Sequence, residues 1–190
     1  MLDIVFKWAA VRLNESSNTK LVVSVLDFYA HLLEFLIEVA NPLEDFEIYV
    51  LMGTLCDKVG INNKILMDKM RKLIRMVYDV YEGKLIYRLI VDMGVKAKNL
   101  KSVAECLDEV SDFVQKNGID YCTKKDFALF VSCADSPDKS VRENALKVFG
   151  EAYALLGEDV WRLLSKDVPI KVKGLLEQRF KQVAKRTGNT

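Results

Sequence analysis

Hydrophobic side chains recur along this chain at steps of three and four residues, the repeat that gathers them on one face of an α-helix. From Leu2 to Leu13 the set is Ile4, Val5, Trp8, Ala9, Val11 and Leu13. It predicts a helix in which Trp8 is a packing side chain. The hexapeptide Asn14-Glu15-Ser16-Ser17-Asn18-Thr19 interrupts the pattern with turn formers, and Asn18 or Thr19 is expected to cap the next helix. Leu21, Val22, Val25, Leu26, Leu32, Leu33, Leu36 and Ile37 then resume the helical period. Asn41-Pro42 ends it, because proline cannot continue the hydrogen-bond ladder and pushes its predecessor out of the α region.

The same cycle of helix, polar turn, helix and longer break returns three more times. Helices are expected over 46–59 and 65–81, with Gly60-Ile61-Asn62-Asn63 as their turn and Gly60 in the left-handed position after a helix end. A third pair is expected over 84–95 and 101–116, turning at Lys96-Ala97-Lys98-Asn99. The fourth spans 124–133 and 140–155, with Asp135-Ser136-Pro137-Asp138 between them. Turns near positions 17, 62, 98 and 137 give a period of about 40 residues, in the range of HEAT and armadillo repeats. The expected fold is all-α: a HEAT-repeat solenoid of about four antiparallel helix pairs (2–40, 44–81, 84–117, 122–156), forming one domain over 1–190. A short helix near 160–164 and a charged helix from 170 to about 185 form the expected cap at 157–187. Leu2–Trp8 opens on an apolar helix with no cap signal, so upstream repeats of the same chain are expected to cover it.

Composition narrows the function classes. The 28 Lys and Arg stand against 27 Asp and Glu, so the net charge of +1 gives no global field for nucleic acid or an anionic membrane. Any electrostatic partner has to be met by a local patch. The four cysteines, Cys56, Cys106, Cys122 and Cys133, form no CxxC pair, and the lone His31 cannot complete a zinc set. They read as buried thiols of a cytosolic protein. His31 follows Tyr29-Ala30 without a nucleophile or acid at motif spacing, and no phosphate-binding glycine loop occurs. No catalytic residue, metal site or cofactor is expected, and the protein reads as a binding module.

Several segments carry a resemblance. The run Leu2-Asp3-Ile4-Val5-Phe6-Lys7-Trp8 with Arg12 is one, and GVKAKNLKSVAECL from Gly94 to Leu107 is another. Asp138 with Val141-Arg142 and Ala145-Leu146, then Leu156-Gly157-Glu158, Val160-Trp161 and Leu176-Glu177-Gln178-Arg179-Phe180-Lys181, complete the set. Together they resemble the TOG domains of microtubule polymerases, which are built from six HEAT repeats, and most nearly the C-terminal-most, fifth one. Leu66-Met67 stands where that family has valine-arginine, Asn63 where a basic turn residue is common, and Pro137 at an often basic position beside Lys139. The resemblance implies that a first repeat, with its tubulin-contacting tryptophan, lies upstream, and that Trp8 is not that tryptophan. It implies a tubulin or microtubule partner in the cytoplasm, on the cytoskeleton, spindle and centrosome or spindle pole.

In a solenoid the turns inside successive pairs line up along one edge. That ridge is expected to carry Asn18, Lys20, Lys64, Lys96, Lys98, Asn99, Lys101, Lys139 and Arg142. Every turn contributes a basic group, suited to the acidic surface that the resemblance assigns to the partner. Two other readings stand beside it. Lysines at helix ends also serve solubility and the helix dipole, and Arg142 sits four residues after Asp138, at ion-pair spacing. The chain also fits a HEAT scaffold for another protein, or a structural spacer.

Overall fold

The structure, a computed structural model, describes residues 2–15, 18–78, 80–164 and 167–187. Every regular element among these residues is helical. In order they are α1 (Leu2–Glu15), α2 (Thr19–Glu38), α3 (Asp45–Lys58), α4 (Lys64–Val77) and α5 (Gly83–Leu89), which runs into a π-helical segment (Ile90–Val95). Then follow α6 (Leu100–Asn117), α7 (Lys124–Ala134), α8 (Lys139–Leu156), a 3-10 segment (Gly157–Leu163) and α9 (Ile170–Thr187). The chain divides into two compact units, 1–106 and 107–190, with the boundary inside α6. The expected turn residues Ser16 and Ser17 lie outside the described residues.

In the first unit, α1, α3 and the π-helical segment form one layer, while α2 and α4 pack side by side in a second. The layers meet over Phe6, Leu26, Tyr29, Leu33, Ile48, Leu51, Met52, Leu55, Ile74 and Tyr87, all at most 1% exposed. Burying a side chain of this size is worth about 1.5–3 kcal/mol. Tyr29 ties α2 to α1: its ring lies 5.3 Å from that of Phe6, and its hydroxyl donates to the Phe6 carbonyl at 3.1 Å. Burial raises the Tyr29 pKa, so the phenol stays a donor.

Three expectations are corrected here. Trp8 is not a core residue. It is 50% exposed, as are Ile4 (66%) and Val11 (46%), and α1 buries Phe6, Ala9, Ala10 and Leu13 instead. Both sets obey the three-and-four step, so periodicity found the helix and merged its two apolar faces into one. Gly60 is also not left-handed, since the only described glycines with positive φ are Gly118 and Gly157. Its missing side chain serves close packing: a Cβ there would lie 2.2 Å from the Ser102 backbone nitrogen. Finally, the helix after the second break is not α-helical throughout. From Ile90 its i→i+5 bonding widens the turn, and Ile90, Val91, Gly94 and Val95 are buried together.

In the second unit, α7 packs on α8 through Phe127, Phe130 and Phe149, with ring centroids 5.8–6.5 Å apart. Thr123 and Asp126 form a reciprocal capping box at the start of α7. Lys147 of α8 donates to Asp108 at 2.7 Å and Asp112 at 3.0 Å on the rear half of α6. Burial works against the Lys147 charge, but its hydrogen bonds to the two carboxylates prevail and raise its pKa. Gly157, at φ +57°, ends α8 and turns the chain into the 3-10 segment. The last helix then closes on α8, with Phe180 stacked on Tyr153 at 4.5 Å and edge-on to Trp161 at 5.2 Å.

Candidate protein-binding edge

Four turns each begin a helix on a short polar side chain. The oxygen of Asn18 accepts from the Lys20 and Leu21 amides at 3.0 and 3.3 Å, and that of Asn63 from Leu66 at 3.2 Å. Asn99 accepts from the Lys101 amide at 3.0 Å and Asp138 from Val141 at 3.0 Å. These oxygens satisfy helix amides that would otherwise be orphaned, so Asn18 and Asn99 set turn geometry and offer a partner only their amide NH₂. Asn63, where a basic residue is common in the resembling family, does the same capping work.

Within the first unit the helices that follow these turns run in parallel. Asp27 and Glu34 of α2 meet Lys69 and Lys72 of α4, and Arg71 of α4 donates to Glu105 of α6 at 2.9 Å. The starts of α2, α4 and α6 therefore lie along one edge, the ridge expected for the first three turns. Its lysines differ in how they are held. Lys96 pairs with Asp92 at 2.5 Å, one turn back, and Lys101 donates to Asn62 of the preceding turn. Lys20, Lys64 and Lys98 are exposed and meet no acidic group among the described residues. Each of the three turns thus presents one uncommitted ammonium. Asn62 was missing from the candidates read from sequence, although it lies one repeat before Lys101.

The fourth turn belongs to the second unit. Lys139 pairs with Glu143 at 3.7 Å with both ends largely exposed. Arg142 is half-buried and does not use Asp138 as its acceptor: it donates to the Ser136 carbonyl at 2.8 Å and more weakly to that of Pro137 at 3.4 Å. Asp138 is occupied with capping, so the guanidinium staples the turn ahead of it instead. His31, far from these turns in sequence, is exposed, with Nδ1 2.8 Å from the Asp27 carbonyl oxygen. No group of His, Cys, Asp and Glu among the described residues could hold a metal ion, and no described helix is long and apolar enough to cross a membrane.

Against known proteins, the chain is 29% identical to the MOR1 protein of Oryza sativa over 97% of its own length and 9% of that protein. Its fold matches the solved TOG domain of Zyg9 from C. elegans with a TM-score of 0.88 and 21% identity, covering 96% of this chain and 68% of the other. The fold is that of a TOG domain. A second TOG structure, from work on TOG–tubulin binding specificity in microtubule dynamics and mitotic spindle formation, matches with a TM-score of 0.88 and 23% identity over 95% of this chain and 68% of that one. No family model matches. The chain spans less than a tenth of its curated relative and about two thirds of the solved domains.

Proposed function

We propose that this chain is a TOG domain and a non-catalytic tubulin-binding module that docks through the turn edge of its first unit and so serves the control of microtubule growth and of the spindle and cytoskeleton. One observation carries the reading: each turn of that edge holds an exposed lysine, Lys20, Lys64 or Lys98, that meets no acidic group among the described residues. The asparagine caps hold the helix starts behind these lysines, so the charges project from fixed backbone. A nearly neutral protein with one local basic edge meets an acidic partner by complementarity while avoiding other polyanions. Lys139 and Arg142 of the second unit are proposed to add to the contact, Arg142 chiefly by holding its turn. The second reading, a scaffold for a different protein, has no observation of its own in its favour.

The segments quoted from Gly94 to Leu107 and from Leu156 to Lys181 support correspondence with the C-terminal-most TOG domain of such a protein. Upstream repeats of the same chain, and residence on microtubules, spindle and centrosome or spindle pole, belong to the same proposal. Size-exclusion chromatography with free tubulin and co-sedimentation with microtubules test it. Charge reversal of Lys20, Lys64 and Lys98 together is expected to abolish both associations at low salt. Reversal of Lys84, Lys124 and Lys125, which lie at the starts of α5 and α7, changes net charge equally and is expected to spare them. Equal binding by the two folded variants overturns the assignment of the edge.

A further inference from the structure

The second unit holds a charged group that its own fold leaves unsatisfied. Arg179 of α9 is half-buried; its Nε is shut off from solvent and has no hydrogen-bond partner, and no carboxylate of the described residues pairs with it. A guanidinium keeps its charge at any accessible pH and carries five donors in a planar fork. With Nε turned away from solvent, the two Nη groups are the donors a ligand can reach. Gly150 fixes its position. A Cβ on that residue of α8 would lie 2.7 Å from the Arg179 Nε and 3.3 Å from an Nη, so the fork rests against the α8 backbone where only glycine leaves room.

The guanidinium opens into a cleft of about 350 Å³ between α8 and α9, walled by Leu146 and Leu175 and edged by Gln178, Gln182 and Glu143. That volume suits a side chain or two. Glu143 already has Lys139 one turn before it at 3.7 Å. Among the described residues, Arg179 is the one cation lining the cleft. The net charge of α9 adds a longer-range bias toward an anion, since Lys173 and Lys181 on another face, Lys185 and Arg186 stand against Glu177, and Lys171 is paired with Asp135 at 2.8 Å. We infer that this cleft is a binding site for an acidic polypeptide segment, with a glutamate carboxylate taken bidentately by Arg179, its methylenes against Leu146 and Leu175, and the Gln178 and Gln182 amides as flanking donors. A planar carboxylate matches the fork, and the leucine walls match the apolar stem of glutamate. The site belongs to the second unit, and the inference does not depend on the turn edge of the first binding anything.

Fluorescence anisotropy of a labelled oligoglutamate peptide, titrated with the full chain at low salt, tests the inference. Arg179→Gln is expected to weaken binding at least tenfold. Arg179→Lys keeps the charge without the fork and is expected to weaken it nearly as much. Gly150→Ala leaves every charge in place but displaces the guanidinium, and a similar loss is expected. Lys185→Gln removes one charge from the same helix outside the cleft, with an expected change under twofold. Helicity of each variant is checked by circular dichroism, and should Gly150→Ala fail to fold, the two Arg179 variants and Lys185→Gln decide the matter. The inference is overturned if the unaltered chain does not bind the peptide, if Arg179→Gln binds as well as the unaltered chain, or if Lys185→Gln loses as much affinity as Arg179→Gln.

Discussion

The backbone amide of Gly60 donates to the hydroxyl of Ser102 across 3.2 Å, joining the end of α3 to the start of α6. The same hydroxyl donates to the Asp57 carbonyl at 2.7 Å, so one side chain satisfies two groups at a helix end. Ser102 is wholly buried and α6 approaches so closely that no Cβ fits on Gly60. Gly60→Ala is therefore expected to force the two backbones apart, at about 3 kcal/mol or more. Ser102→Ala leaves a buried amide without its acceptor and is expected to cost about 1–3 kcal/mol. Urea unfolding of both variants measures this, and a Gly60→Ala variant as stable as the unaltered chain would show that the approach relaxes freely.

The two faces of α1 give a second expectation. Phe6 is fully buried and carries the Tyr29 contact, whereas Trp8 is half-exposed, with the Arg12 guanidinium 5.9 Å from its ring. Phe6→Ala is expected to cost about 3–5 kcal/mol through loss of buried surface and the cavity left behind. Trp8→Ala, though it removes the larger side chain, is expected to cost below about 1 kcal/mol in this chain. Unfolding midpoints in the reverse order would place the core of the first unit on the wrong face of α1.

Much of this architecture was legible in the sequence, and the failures have identifiable causes. Long α2, α4, α6 and α8 begin where asparagine or aspartate caps precede an apolar period, because capping and periodicity are both local. Gly60 was readable as a break but not as a contact, since its reason lies at Ser102, 42 residues away. Gly94, part of the segment that carried the family resemblance, is similar: a Cβ there would fall 2.3 Å from the Cys106 sulfur in that same segment. Some of the resemblance thus records packing, not recognition. At the candidate edge the lysines could be counted from sequence, but which were already paired could not. Asp92 and Asn62 take up Lys96 and Lys101, and only coordinates show that Lys98 is left over.

Thiol chemistry offers a test of the burial pattern. Cys56 and Cys106 are completely buried, Cys133 nearly so, and Cys122 is only half-buried. Burial pushes the Cys133 thiol up to about 11, leaving almost no thiolate at pH 8. A disulfide reagent at pH 8 is expected to label one thiol, Cys122, quickly and the other three only on unfolding. The same shift has a sign for stability. Below pH 9 the Cys133 thiol is protonated in both states, and between about 9 and 11 only the unfolded chain ionises, so stability from this group falls as pH rises through that window. Rapid labelling of Cys133 in the folded protein would contradict its burial.

The last expectation separates the three lysines of the third turn, which sequence alone treats as one cluster. Lys96 is held by Asp92 and Lys101 by Asn62, so moving either toward a partner means giving up an existing contact, whereas Lys98 has nothing to give up. Reversal of all three is expected to weaken tubulin binding tenfold or more at low salt, since three exposed pairs of at most about 1 kcal/mol each become repulsions. Most of that loss is expected from Lys98→Glu alone. Lys96→Glu sets its new charge against Asp92 and is expected to perturb the turn as well as binding. Lys101→Glu keeps a hydrogen-bonding reach to Asn62 and is expected to have the smallest effect of the three. Added salt shrinks every difference that is electrostatic, as screening requires, and leaves those that come from turn geometry. Affinities of the three single variants for free tubulin, measured at two salt concentrations beside their helicity, provide the comparison. If Lys96→Glu or Lys101→Glu outweighs Lys98→Glu with helicity intact, binding reorganises the edge, and the pairs seen in the free domain do not govern which lysine meets the partner.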